Sequence, residues 1–222
     1  ALGLLARRAG GATGRGLSMS AVRIIIFAKA PQAGRAKTRL IPALGGEGAA
    51  RLAQRMLQAT LATAQAAALG PLQLCLSPPP GDPAWAEFAW PAGVELRDQG
   101  DGDLGQRMAR AVEAGVQLGL PVLLIGTDCP QLTPALLRQA AEALSHHDSV
   151  LFPASDGGYV LLGLRHSHPR VFADITWSSA SVASSTRARL AELGWSLCEG
   201  PELDDIDCPE DLPKLPVGWL PS

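Results

Sequence analysis

The chain has 222 residues, 47% apolar and 18% charged, a balance that excludes intrinsic disorder and allows one substantial core. Nineteen basic against 21 acidic side chains leave a formal charge of −2, so no global field favours nucleic acid or a membrane surface and any anion site must be local. The four cysteines, Cys75, Cys129, Cys198 and Cys208, are widely spaced, without a CxxC pair or a secretory signal, and read as thiols of a reducing cytoplasm.

Residues 1–20 contain Arg7, Arg8 and Arg15, no acid, and an apolar run too short for a signal-peptide core. They read as a flexible extension before a single domain spanning residues 21–222. No apolar run approaches the ~20 residues needed to cross a bilayer. Residues 22–28 (VRIIIFA) form a β-branched and aromatic run, the pattern of a central strand buried on both faces. From 47 to 69 the apolar Leu52, Met56, Leu57, Leu61 and Ala64 fall at helical spacing, ended by Gly70-Pro71.

A strand at 72–76, a helical turn around 85–90 and a strand at 94–97 follow, then a helix at 104–118. Residues 121–125 (PVLLI) read as another buried strand, 134–144 as a helix capped by Thr133, and 149–153 as a strand. Alternation of this kind predicts a mostly parallel sheet with right-handed crossovers. The strand at 159–164 comes too soon for a helical crossover, so it should be antiparallel or lie in a neighbouring layer. A helix at 178–193, a strand at 195–198 and an acidic, proline-punctuated tail complete the pattern. The fold class is therefore three-layer α/β, a mixed and mostly parallel sheet between helices.

Four cations, Lys29, Arg35, Lys37 and Arg39, occupy the eleven residues after the first strand, at the edge where open α/β sheets bind ligands. Gly34 lets backbone N–H groups approach a phosphate, and Lys and Arg supply charge and forked donors for its oxygens. A solvated basic turn is the alternative; the GxxxxGK[ST] spacing of a P-loop is absent. Asp103 and Gly105 open the helix at 104 from a Gly-rich turn, which suits either a nucleoside contact or plain N-capping.

Asp128 follows the PVLLI strand and so stands beside the cationic loop, where Mg²⁺ or Mn²⁺ bridging a diphosphate would give a carboxylate its reason; a turn-forming role is the alternative. The tail Asp204-Asp205-Ile206-Asp207-Cys208-Pro209 repeats the Asp-Cys-Pro of residues 128–130, and a carboxylate from each segment could share one metal. Zinc on Cys129 and Cys208 lacks ligand spacing. Asp156-Gly157-Gly158 marks either a close backbone approach to a ligand or a tight bend. His146, His147, His166 and His168 lie in loop-like stretches and form no triad pattern.

Six ordered segments, FAKAPQAGRAKTRL, GDGDLGQRM, LLIGTDCPQL, PASDGGYVLLGL, the WSS at 177–179 and DDIDCPEDL, resemble the signature series of bacterial glycosyltransferase-like proteins of the GT-A, or nucleotide-diphospho-sugar transferase, fold, of the arsenosugar-biosynthesis type. The opening loop also resembles that of phospholactate guanylyltransferase, and the closing DIDxPEDL that of the molybdenum-cofactor nucleotidyltransferases. The resemblance implies that Lys29, Arg35, Lys37 and Arg39 contact phosphates. It places Asp103 to Gly105 near the nucleoside and Asp128 and Asp207 on the metal. Asp128 and Lys37 would be catalytic, and Asp156 and Gly158 would face the acceptor.

The implied activity is metal-dependent glycosyl transfer from a nucleoside-diphosphate sugar to a small-molecule acceptor. The alternatives are nucleotidyl transfer from GTP or CTP to a phosphorylated small molecule, and a catalytically idle nucleotide-binding module. Two departures bear on the choice: the loop has the single Gly34 where nucleotidyltransferases carry a denser GxGxR pattern, and Asp128 stands alone where the glycosyl reading would have an Asp-x-Asp metal motif before the acceptor region.

Overall fold

A computed structural model describes residues 21–220; the extension expected at 1–20 lies outside the described residues. The strand expected at 22–28 is β1 (Arg23–Lys29), whose Ile24, Ile25 and Ile26 are fully buried. β-Branched side chains pack well on a pleated surface, and a run without polar alternation needs cover on both faces. The chain then makes a loop and a 3-10 turn at Thr38–Leu40 before α1 (Ile41–Ala67). Helix α1 begins earlier than its periodicity indicated, because Pro42 starts a short first turn that breaks at Gly45 (φ 69°). The regular part then runs from about the residue expected and buries Leu52, Met56, Leu57, Leu61 and Ala64.

β2 (Leu72–Ser77), β3 (Val94–Asp98), α2 (Leu104–Gln117), β4 (Val122–Ile125), α3 (Pro134–His146) and β5 (Ser149–Pro153) follow close to their expected places. β6 (Tyr159–Leu164) lies between β4 and β5 and is antiparallel to both, which settles the choice left open by its short connection. Helix α4 (Val182–Glu192) starts later than residue 178, because Ser178 takes a left-handed conformation (φ 60°) that a helix cannot contain. β7 (Leu197–Glu199) closes the sheet in order β3-β2-β1-β4-β6-β5-β7. The expected turn near 85–90 is a 3-10 turn at Pro83–Trp85. Two further 3-10 segments, Pro169–Phe172 and Pro209–Lys214, are too short to leave a periodic signature.

Two apolar clusters cover the faces of the sheet. One joins Ile24, Ile26, Leu74 and Leu123 to α1 and α3; the other joins Ile25, Leu124 and Leu162 to Met108 and Val112 of α2 and Leu190 of α4. A third, smaller cluster packs Leu40, Ala49, Leu52 and Met56 around Ile206. It fastens the basic loop after β1 to the C-terminal tail, 166 positions later in sequence, and so determines what stands at the carboxyl edge of the sheet.

Candidate active site

β1 and β4 are neighbours in the parallel part of the sheet, so their following loops emerge side by side at the same edge. The β1 loop brings Lys29, Gly34, Arg35, Lys37 and Arg39, and the β4 exit brings Thr127 and Asp128. The tail joins them through main-chain bonds: Leu203 N–H donates to Pro153 O at 3.0 Å and Ile206 N–H to Asp128 O at 2.9 Å. Ile206 is buried in the third cluster, and Asp205 and Asp207 on either side of it both line the cleft. Carboxylates remote in sequence are thereby assembled at one place.

At the centre, Lys37 Nζ lies 2.9 Å from Asp128 Oδ1 and 3.5 Å from Asp207 Oδ1 and donates to Ile206 O at 2.6 Å. Arg39 Nη1 pairs with the other oxygen of Asp207 at 2.5 Å. Around this centre runs a cleft of two lobes, about 480 Å³ and about 430 Å³, sharing Phe27, Arg39, Leu104, Thr127, Asp128 and Asp207. Into the smaller lobe face Lys29 and Arg35, both exposed and without an ion pair among the described residues. The larger lobe has an apolar wall of Met108, Val160 and Trp177 and is also lined by Asp156, Gly158 and Asp205. Of the two lobes, Lys29, Arg35 and Lys37 line only the smaller and Asp156 and Asp205 only the larger, with Arg39, Asp128 and Asp207 common to both.

Asp205 is a cleft residue that sequence reasoning left unassigned, although its alternation with Asp207 about an apolar Ile206 was a usable signal. Burial raises its carboxyl above the usual range; the like charges of Asp156 and Asp128 add to this, while its own backbone N–H and Lys37 oppose it. Gln99 is another unassigned residue. Its buried amide donates to Ala28 O and Cys75 O and accepts from Arg107, tying the ends of β1 and β2 to α2 beneath the smaller lobe.

Asp103 N-caps α2, its carboxylate accepting from Gln106 N–H in a reciprocal capping box, and it does not line either lobe. Gly105 is where Trp177 rests: a Cβ there would stand 2.6 Å from the indole nitrogen and 2.9 Å from Phe172 O. The expected nucleoside contacts therefore have a structural account, and it is Leu104 between them that reaches the cleft. Asp156 turns back on Gly158 N–H at 2.7 Å, and Gly34 takes φ 76° in the exposed loop.

Asp211 holds the tail in shape, accepting from the N–H groups of Asp207 and Cys208 at 3.1 and 3.0 Å and from Cys208 Sγ at 3.0 Å. Burial acts to raise this carboxyl, but the bonds from Cys208 and Asp207 and from Lys214 outweigh it and hold it well below the ordinary carboxylate range. A carboxyl depressed in the folded state contributes stability above its unfolded value, lost as pH falls through the folded one. Asp211→Ala is expected to lower unfolding free energy by about 1–2 kcal/mol at pH 7 and by much less near pH 2. Denaturant melts of both proteins at the two pH values check it; an equal loss at both would mean the charge is immaterial.

The thiols of Cys129 and Cys208 hold their protons firmly. Burial pushes the Cys129 thiol up to about 11, and the hydrogen bond to Asp211, with Glu210 adding to it, does the same for Cys208. No group of three or more His, Cys, Asp or Glu among the described residues is arranged to hold a metal. What the cleft offers a cation is the two convergent, half-exposed carboxylates of Asp128 and Asp207. That oxygen donor set fits Mg²⁺ or Mn²⁺, with phosphate and water filling the other positions.

The chain matches the family described as an uncharacterized protein conserved in bacteria (DUF2064) over residues 60–179, more than half its length. It belongs to this family. A proposed nucleotide-diphospho-sugar transferase from Desulfovibrio desulfuricans is 31% identical, with 86% of this chain and 84% of that one covered and a TM-score of 0.77. The chain thus has the nucleotide-diphospho-sugar transferase fold. The likeness extends, as one of fold, to a Mycobacterium tuberculosis protein in complex with manganese (20% identity, 88% and 98% covered, TM-score 0.50). It also extends to 4-diphosphocytidyl-2C-methyl-D-erythritol synthase from Anaerococcus prevotii (11%, 86% and 94%, 0.55). No curated protein matches the chain. Among the described residues no helix is long and apolar enough to cross a membrane.

Proposed function

We propose that the protein is a transferase that uses a nucleoside-diphosphate sugar as donor and a divalent cation, Mg²⁺ or Mn²⁺, at Asp128 and Asp207. The observation that carries this reading is the segregation of charge along the cleft. Lys29, Arg35 and Lys37 line only the smaller of the two lobes and offer donors for a diphosphate, whereas Asp156 and Asp205 line only the larger, whose one lining cation among the described residues is the Arg39 that both lobes share. A site beside Asp156 and Asp205 suits an acceptor hydroxyl, which donates to carboxylates; a phosphorylated acceptor, as nucleotidyl transfer would require, meets like charge there. The relative that is 31% identical points to the same donor class.

Each residue then has a task in the geometry. The loop cations bind and orient the diphosphate, and Leu104 and Phe27 supply apolar wall where the two lobes meet. Trp177, seated on Gly105, walls the larger lobe and excludes water from it. Asp156 and Asp205 accept hydrogen bonds from acceptor hydroxyls, and Gly158 lets the acceptor approach the backbone. Asp128 and Asp207 hold the cation, which when bound would neutralise charge developing on the leaving diphosphate. Lys37, which lines the smaller lobe, adds positive charge for the diphosphate.

A thermal-shift panel of nucleoside diphosphates, triphosphates and diphospho-sugars, with and without Mn²⁺, tests this, since a ligand specific for the native state raises its melting temperature. A metal-dependent rise with one diphospho-sugar is expected. A rise with a triphosphate alone would instead favour nucleotidyl transfer, tight binding without turnover an idle nucleotide-binding module, and no rise with any of them would remove the nucleotide reading.

A further inference from the structure

The Asp128–Asp207 pair already has a cation in it. The Lys37 side chain is only 7% exposed, and its Nζ stands within 2.9 Å of one carboxylate and 3.5 Å of the other, the same two groups a divalent cation would take. The arrangement is imposed on the chain. Lys37 has φ 47° and ψ 47°, a left-handed conformation that a residue with a Cβ adopts only when its surroundings over-determine it. The surroundings here are Leu40, buried three residues later in the cluster around Ile206, and the Ile206 carbonyl that accepts from Nζ at 2.6 Å. An ammonium and a dication cannot both bind the same oxygens, because their repulsion at contact distance opposes the attraction each feels.

We propose that Lys37 is a tethered counter-ion that occupies the metal position of the free protein, so that the metal enters only together with a diphosphate that gives Nζ a new anionic partner. The inference rests on the reading of Asp128 and Asp207 as metal carboxylates. It follows that two carboxylates neutralised from within hold Mn²⁺ weakly by themselves. A diphosphate changes this twice over, drawing the ammonium toward the smaller lobe, which Lys37 also lines, and adding oxygen ligands of its own.

The test is Mn²⁺ alone, titrated into the full chain and read by the paramagnetic resonance of free Mn²⁺, for the wild type and for Lys37→Met, Lys37→Gln and Lys37→Arg. Near-UV circular dichroism and a melting curve establish that each variant is folded; the Gln side chain can still donate to Ile206 O. The neutral variants are expected to bind Mn²⁺ about tenfold tighter than the wild type or better, with Arg unchanged. Inorganic pyrophosphate should tighten Mn²⁺ binding to the wild type and bind less well to Lys37→Met. A merely structural lysine would leave Mn²⁺ affinity the same or lower it.

Folded neutral variants that bind Mn²⁺ no tighter than the wild type, with binding still lost on Asp128→Asn, would overturn the inference and leave the metal assignment standing. Tighter binding that survives Asp128→Asn, or no Mn²⁺ binding by any variant with or without pyrophosphate, would overturn both.

Discussion

Asp128→Asn is expected to reduce metal-dependent transfer by about a hundredfold or more while leaving the fold in place. Asn matches the shape of Asp but lacks the charge a hard dication requires, and Asp207 alone cannot replace it. The fold should tolerate the change because the tail is attached to this position through the backbone: Ile206 N–H donates to Asp128 O, a bond the side chain does not make. Lys37 would keep its bond to Ile206 O and its pairing with Asp207. The melting temperature should therefore stay within about 3 °C of the wild type. The decisive measurement is nucleotide affinity with and without Mn²⁺. If the Mn²⁺ dependence is unchanged in the variant, Asp128 is a turn former and the metal lies elsewhere.

Gly157→Ala is expected to be the most damaging single methyl group at the cleft. Gly157 has φ 89°, and a Cβ there would stand 2.2 Å from Ala180 O and 2.7 Å from its carbonyl carbon and Cα, all main-chain atoms without a rotamer to yield. Ala183 N–H also donates to Gly157 O at 2.9 Å, so the bend between β5 and β6 and the start of α4 are fixed to each other. Left-handed strain and forced separation together should cost about 3 kcal/mol or more, a fall in melting temperature of roughly 6–10 °C. Gly119→Ala is the control, since Gly119 has a similar φ of 86° but nothing within 4 Å of its would-be Cβ. It should lose only about 1 kcal/mol. Equal losses at the two sites would mean that the approach to Ala180 is not close.

The Gly157 bend shows the limit of reading a site from sequence. Paired glycines between two strands indicate a close backbone approach, and the structure shows one, to the chain's own Ala180. A glycine reports that a Cβ is unwelcome but not what excludes it. The same holds for Gly105, whose neighbour is Trp177, a residue 72 positions away that no local pattern connects to it. Asp103 had two readings, and the capping box with Gln106 accounts for the local one.

Local rules were sufficient wherever a few neighbouring residues decide the outcome. Residues 22–28 form a strand because a β-branched run fits nothing else as well, α1 to α3 follow their apolar period, and alternation of strands and helices leaves a parallel sheet with its ligand edge after β1 and β4. That alone brings the basic loop and Asp128 to one edge. Only the tertiary structure decided where the tail would go. Ile206, one apolar residue in an acidic run, is buried beside Leu40 and Leu52 and draws Asp205 and Asp207 to the cleft, where an isolated acidic segment would stay in solvent. The physical reason is range: the alternation about Ile206 can mark an apolar position but not the segment, 166 positions earlier, that buries it, and the charge pairing at Lys37 exists only once that burial has occurred.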